Sequence, residues 1–225
     1  MKNIFVFGAD EFNLAQMRSL QCAQSYRFHE LFNHREVKAG PEFPVEALYE
    51  GALEQLQSFS GPIDAIVGSW DFPVSTMLPL LRQPFGLPSP SFEAVLKCEH
   101  KYWSRLEQRR IIPEYIPNFC AVDPFVNNPE QQITVDYPFW IKPVKAASSH
   151  LGFKVRNDAE LEPAIQAIRA NIFRFAKPFN YLLQFAELPE DVSAVDGFHC
   201  IVEDIISRGR QCTLEGYVYQ GEVRV

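Results

Sequence analysis

The stretch from Tyr137 to Phe153, YPFWIKPVKAASSHLGF, carries residues suited to holding an anion. Tyr137, Phe139 and Ile141 alternate with Pro138, Trp140 and Lys142, the period of two of a half-buried strand, so Lys142 falls at the strand's end. Beyond it Ala146, Ala147, Ser148 and Ser149 have little side-chain bulk. Backbone N–H groups and hydroxyls can therefore approach anionic oxygens while the ammonium of Lys142 supplies charge. An ordinary hairpin with an exposed lysine would satisfy the same residues. Lys101 is a second candidate cation, although by itself it is better accounted for as a solvated lysine on a charged helix beside Lys97, Glu99 and Arg105. Ser69, Trp70 and Asp71 form a third candidate. They follow the buried-strand pattern IDAIV, Ile63 to Val67, at the end where open α/β sheets place ligands, though a plain turn also explains them.

Alternating elements must position these groups. Ile4 to Phe7 reads as a buried parallel strand turning at Gly8-Ala9-Asp10 into a helix, Glu11 to Gln24, and Tyr26 to Phe32 as a second strand. Val45, Leu48, Ala52, Leu56 and Phe59 predict an amphipathic helix over Pro44 to Phe59. Another helix covers Val74 to Arg82, and the proline-rich QPFGLPSPS interrupts the pattern. Strands alternating with helices over residues 1–90 predict a doubly wound parallel sheet. One glycine at Gly8 is too few for a dinucleotide fingerprint.

Ser91 caps a predicted helix running to about Arg109 and carrying Lys101. Residues Ile111 to Ala121 read as extended, and Pro124 to Gln131 as a loop or short helix. A helix with apolar face Leu161, Ile165, Ile168 and Ile172 follows, with a bend or late start expected at Pro163. Tyr181 to Ala186 is predicted as a strand, Glu187 to Phe198 as a mobile surface loop, and His199 to Ile206 as a strand. Gln211 to Tyr219 and Glu222 to Val225 form a predicted hairpin about Gln220-Gly221.

Composition narrows the function. A 47% hydrophobic chain of 225 residues can fill a sizeable core, and two unequal lobes are expected. Net charge is −7 with no basic run, which argues against a nucleic-acid partner and leaves local cations to mark small anionic ligands. The five cysteines are scattered without a CxxC spacing, as reduced thiols are, and that predicts a cytoplasmic protein. The N-terminus lacks the pattern of a signal peptide and no apolar stretch is long enough to span a membrane. A homo-oligomeric state is left open.

In order and spacing, Lys101, Lys142 with its small-residue loop, and IVEDIISRGRQCTLEGYVYQGEV resemble the ATP-grasp superfamily. The resemblance covers the whole chain. It implies a pre-ATP-grasp α/β domain over residues 1–90, an α+β lid lobe over 91–200, and the hinge and first strands of an incomplete large lobe over 201–225. It also implies that Lys101 and Lys142 bind the phosphates of ATP, and that Ser148 and Ser149 lie in the loop closing over them. Glu203, Asp204, Ile205 and Ile206 would be the interlobe hinge, a strand free of neighbours that reads the adenine edge. Gln211 stands near the family's acidic ribose ligand, and Gly152 is the loop's one glycine; both depart from the family pattern. The implied activity is ATP-dependent ligation of a small carboxylate to an amine through an acyl phosphate. The ligands for Mg²⁺ are expected beyond residue 225, so the expectation is a chain cut off within its large lobe and inactive by itself. Two other readings remain: a non-catalytic nucleotide-binding or regulatory module, and a substrate-binding α/β protein with both lysines on the surface.

Overall fold

The computed structural model describes residues 1–206, 209–210 and 212–225. Its first sheet is parallel, in the order β2-β1-β3, with β1 at Lys2–Ala9, β2 at Tyr26–Asn33 and β3 at Ala65–Gly68. The central position of β1 explains its continuous apolar run, because Phe5, Val6 and Phe7 are buried whichever face they point to. Gly8 has φ +73°, and a Cβ there would lie 2.9 Å from Val74 Cγ2, so a larger residue would be both strained and crowded. Asp10 then caps α1, Glu11–Arg18, by accepting from the Asn13 N–H at 3.0 Å. That helix stops at Arg18, short of the predicted Gln24. Helix α2, His34–Val37, follows β2, and α3, Val45–Ser58, buries Val45, Leu48, Ala52 and Leu56 as its spacing predicts. Helix α4, Val74–Arg82, follows β3.

The single helix predicted from Ser91 to Arg109 is two helices, α5 at Phe92–Glu99 and α6 at Lys101–Ile111. Ser91 does cap the first, accepting from the Ala94 N–H. The break is at His100, which ends α5 and caps α6. Its Nδ1 accepts from the Trp103 N–H at 3.3 Å and its Nε2 donates to the Val195 carbonyl at 2.7 Å, fixing a neutral tautomer.

A second sheet is antiparallel, in the order β4-β7-β5-β6. Its strands are β4 at Phe119–Val122, β5 at Phe139–Pro143, β6 at Phe153–Val155 and β7 at Cys200–Asp204. Helix α7, Asp158–Asn171, packs Leu161, Ala164, Ile165 and Ile168 with Phe139, Ile141, Val155, Cys200 and Val202. Its start is not delayed by Pro163. Asn157 caps it at Asp158, and both Pro163 and Ala159 are exposed, so water can reach the carbonyl that proline leaves unpaired.

Tyr181 to Ala186 is not a strand. Tyr181, Leu182 and Leu183 finish α8, Phe173–Leu183, which buries Phe175, Phe179, Leu182 and Leu183, and Gln184 to Ala186 turn away from it. A short apolar run at the end of a buried helix has the same pattern as a buried strand. The segment from Glu187 to Phe198 is packed rather than loose: it contains α9, Glu190–Ser193, and buries Val192 and Val195. Finally β8, Tyr217–Tyr219, pairs with β9, Glu222–Arg224, about Gln220 and Gly221, both at positive φ as tight hairpins require. The main core runs from Phe5, Phe7 and Met77 through Leu96 and Trp103 to Phe179 and Ile201, joining both sheets' helices. Among the described residues no helix is long and apolar enough to cross a membrane.

Candidate nucleotide-binding cleft

Strand alternation decides which side chains face the cleft. In β5, Phe139 and Ile141 point into the α7 core, which sends Trp140 and Lys142 to the opposite face. In β7 the same rule gives Cys200 and Val202 to that core and Glu203 to the cleft. Trp140 pairs with Glu203 and Lys142 with Ile201, so Lys142 and Glu203 are diagonal neighbours. Their side chains form an ion pair. Across from the sheet, α6 presents Lys101 in its first turn and Arg105 one turn later on the same face. Arg105 Nε donates to the second Glu203 oxygen at 2.9 Å and its guanidinium also donates to Gln108 at 2.7 Å. Lys101 Nζ donates to the Ala146 carbonyl at 2.9 Å.

These groups enclose one cleft of about 390 Å³. Lys101, Arg105 and Lys142 supply positive charge, Trp140 and Ile206 apolar surface, and Ser149 and Gly152 the loop side. A second groove of about 670 Å³ shares Asp204 and Ile206 with it and is completed by Tyr137, Lys154 and Ile205. Burial, then repulsion from Lys142, pulls the Lys101 pKa down to about 8, although Glu203 and Asp71 oppose the shift. Burial would raise the Glu203 carboxyl, but hydrogen bonds from Lys142 and Arg105 outweigh it and hold the group below its ordinary value. The cleft therefore contains a clamped carboxylate that occupies two of three cations.

Of the residues expected from sequence, Lys101, Lys142, Ser149, Glu203, Asp204 and Ile206 line this cleft. Ile205 lines the adjoining groove, and Ser148 lines neither. Gln211 lies outside the described residues. The hinge expectation needs correcting. Glu203 and Asp204 do not belong to a strand free of neighbours, because β7 pairs with β4 on one side and β5 on the other. Asp204 N–H is already given to Asn118 O at 3.0 Å. Only after Asp204 does the chain leave the sheet, at Ile205 and Ile206. The loop holds Ser148, Ser149 and Leu151 at φ 51°, 58° and 58°, left-handed values that side chains disfavour.

Ser69, Trp70 and Asp71 follow β3 and lie outside the cleft. Trp70 is held by its indole N–H to Asp10 at 3.0 Å and by a His34 ring stacked at 3.7 Å. Arg105, Trp140 and His150 line the cleft but were not singled out from sequence. The alternation of β5 places Trp140 on the same face as Lys142, and the helical spacing from Lys101 places Arg105; both signals were available.

No protein-family model matches the chain, and no curated protein matches it. Solved structures do. The L-amino acid ligase from Bacillus licheniformis superposes with a TM-score of 0.60 at 16% identity, over 92% of this chain and 47% of that one. The D-alanyl-alanine synthetase A from Vibrio cholerae gives 0.54 at 16% identity, over 99% and 65%. The N5-carboxyaminoimidazole synthetase from Staphylococcus aureus, complexed with ADP, gives 0.52 at 16% identity, over 91% and 47%. The chain has an ATP-grasp ligase-like fold, mixed α/β with a parallel sheet. It spans about half the length of the first and third of these ligases.

Proposed function

We propose that this chain binds ATP in the cleft between α6 and β5 and belongs to an ATP-dependent ligase that joins a small carboxylate to an amine. The observation that carries the reading is the convergence of Lys101, Arg105 and Lys142 on one cleft beside the end of β7. Three cations brought together by elements far apart in sequence are costly unless an anion compensates them, and Glu203 balances only part of the charge. The ADP held by the Staphylococcus aureus synthetase supports the same reading.

In this proposal Lys101 and Lys142 neutralise the triphosphate, and the backbone of Ile205 and Ile206, released from the sheet, offers the adenine a donor and an acceptor. Trp140 and Ile206 cover the ring. The chemistry is transfer of the γ-phosphoryl group to the substrate carboxylate, after which the amine attacks the acyl carbon and phosphate leaves. Residues 1–90 would present the carboxylate from the β3 edge at Ser69 to Asp71. Among the described residues no grouping of His, Cys, Asp or Glu fits a metal ion, so no step is assigned to magnesium.

A thermal-shift titration tests nucleotide binding. At a concentration of about 100 Kd, a ligand adds about 2.7 kcal/mol, which for a chain of this size raises Tm by roughly 5–10 °C. Lys142→Ala should lose the shift and Lys2→Ala should keep it. No shift in the unmodified protein, or the same shift in Lys142→Ala, would sink the proposal. A nucleotide-binding module without chemistry is the second reading, favoured by a loop with Gly152 as its only glycine. Phosphate release by a protein of the ligases' length, stimulated by an added amino acid or another carboxylate, separates the two.

A further inference from the structure

We propose, building on that nucleotide reading, that Lys145 is a positioning residue that ties the phosphate end of the cleft to the carboxyl edge of the parallel sheet. Among the described residues it is the one buried lysine, with 4% of its surface exposed, and it does not line the cleft. Its ammonium is paired with Glu99, at the end of α5, and stands 4.6 Å from the Phe72 ring centroid and 5.9 Å from that of Phe179. Glu99 is held in turn by the Ser75 hydroxyl at 3.0 Å, in the first turn of α4 just beyond Asp71.

The other end of this tie is the stem of the phosphate loop. Lys145 is three residues past Lys142 and one before Ala146, whose carbonyl receives the Lys101 ammonium. Val144 is fixed on both sides, donating to His199 O and accepting from the Lys101 N–H, each at 2.9 Å. Both phosphate-binding lysines therefore take their positions from a short stem whose charged anchor lies on α5 and α4. A buried ammonium holds such a stem to one place because, already stripped of water, it would be left unpaired at any other position in the interior. A displacement of the Asp71–Ser75 turn is passed through Glu99 and Lys145 to Ala146 and Lys101. Burial between two aromatic rings suits Lys145 to this role and makes it a poor direct ligand for phosphate.

The test compares ATP with adenosine, which shares the base and sugar but has no phosphate, by calorimetric titration of the whole chain. The double variant Lys145→Met with Glu99→Gln leaves no unpaired buried charge, and Ser75→Ala removes only the hydroxyl that orients Glu99. The double variant is expected to weaken ATP on the order of tenfold through loss of alignment. Ser75→Ala should act in the same direction and less strongly, and adenosine affinity should stay within about twofold in both. A merely structural role would weaken both ligands together. ATP affinity within about twofold of the unmodified protein in both variants, or a parallel loss of adenosine, overturns the proposal. Failure of the unmodified protein to bind ATP at all would overturn the nucleotide reading instead.

Discussion

Lys101 is where the cleft's electrostatics become measurable. Its pKa near 8 is depressed from the ordinary lysine value, so it is charged at neutral pH and loses charge just above it. ATP affinity should accordingly fall between pH 7 and 9, roughly the range spanning that pKa, and Lys101→Met should flatten the profile while lowering it throughout. An unchanged profile in the variant would show that another group governs the titration. The effect on folding has the opposite sense. Between the folded pKa of about 8 and the unfolded value the native state binds fewer protons, so burying the charged amine costs stability below pH 8 and the cost fades above it. Glu203 and Arg105 show why residue-level reading of the sequence was incomplete. A glutamate in a strand-like run can be seen, but its clamp comes from a helix 98 residues away.

The elements divide according to whether their pattern was unique. Helix α3 and strands β1 and β5 were legible because a 3.6-residue period, a continuous apolar run and strict alternation each point to one structure. Helix α8 was not, since its last turn, YLL before Gln184, reads equally as a strand. The α5/α6 break was hidden because a histidine capping with Nδ1 leaves no propensity signal; the ring is oriented through its other nitrogen, Nε2, by the backbone carbonyl of Val195, 95 residues away. The segment after α8, turn-rich in sequence yet packed in the structure, gives the sharpest test at this scale. A Cβ on Gly197 would lie 2.7 Å from both Ala176 O and Asn180 Oδ1, and the Gly197 N–H already donates to that Asn180 oxygen at 2.6 Å. Gly197→Ala should therefore destabilise the protein by about 1–3 kcal/mol in urea unfolding, the usual cost of overpacking. A loose surface loop would give no change beyond a few tenths.

For the whole molecule, the core passes from Phe5 to Ile201 without a gap, so helices flanking the two sheets share apolar contacts. That continuity was not visible in sequence, where the proline-rich piece from Gln83 looks like a boundary; the ends of β3 and β5 were visible because turn residues follow their apolar patterns. His100 makes the connection chemical as well. It is fully buried, and burial, opposed by its bond to Val195 and reinforced by Lys101 and His199, lowers its pKa below the usual histidine value. Its stabilising effect is then complete above about pH 6.5 and declines as acid carries the solution toward the lower folded value. Urea midpoints followed by tryptophan fluorescence and by far-ultraviolet dichroism should fall together from pH 7.5 to 5.5; a midpoint indifferent to acid would refute this. An imidazolium cannot accept from Trp103, so the start of the helix that carries Lys101 stays latched through mild acidification and comes loose only where the pH falls below that lowered value.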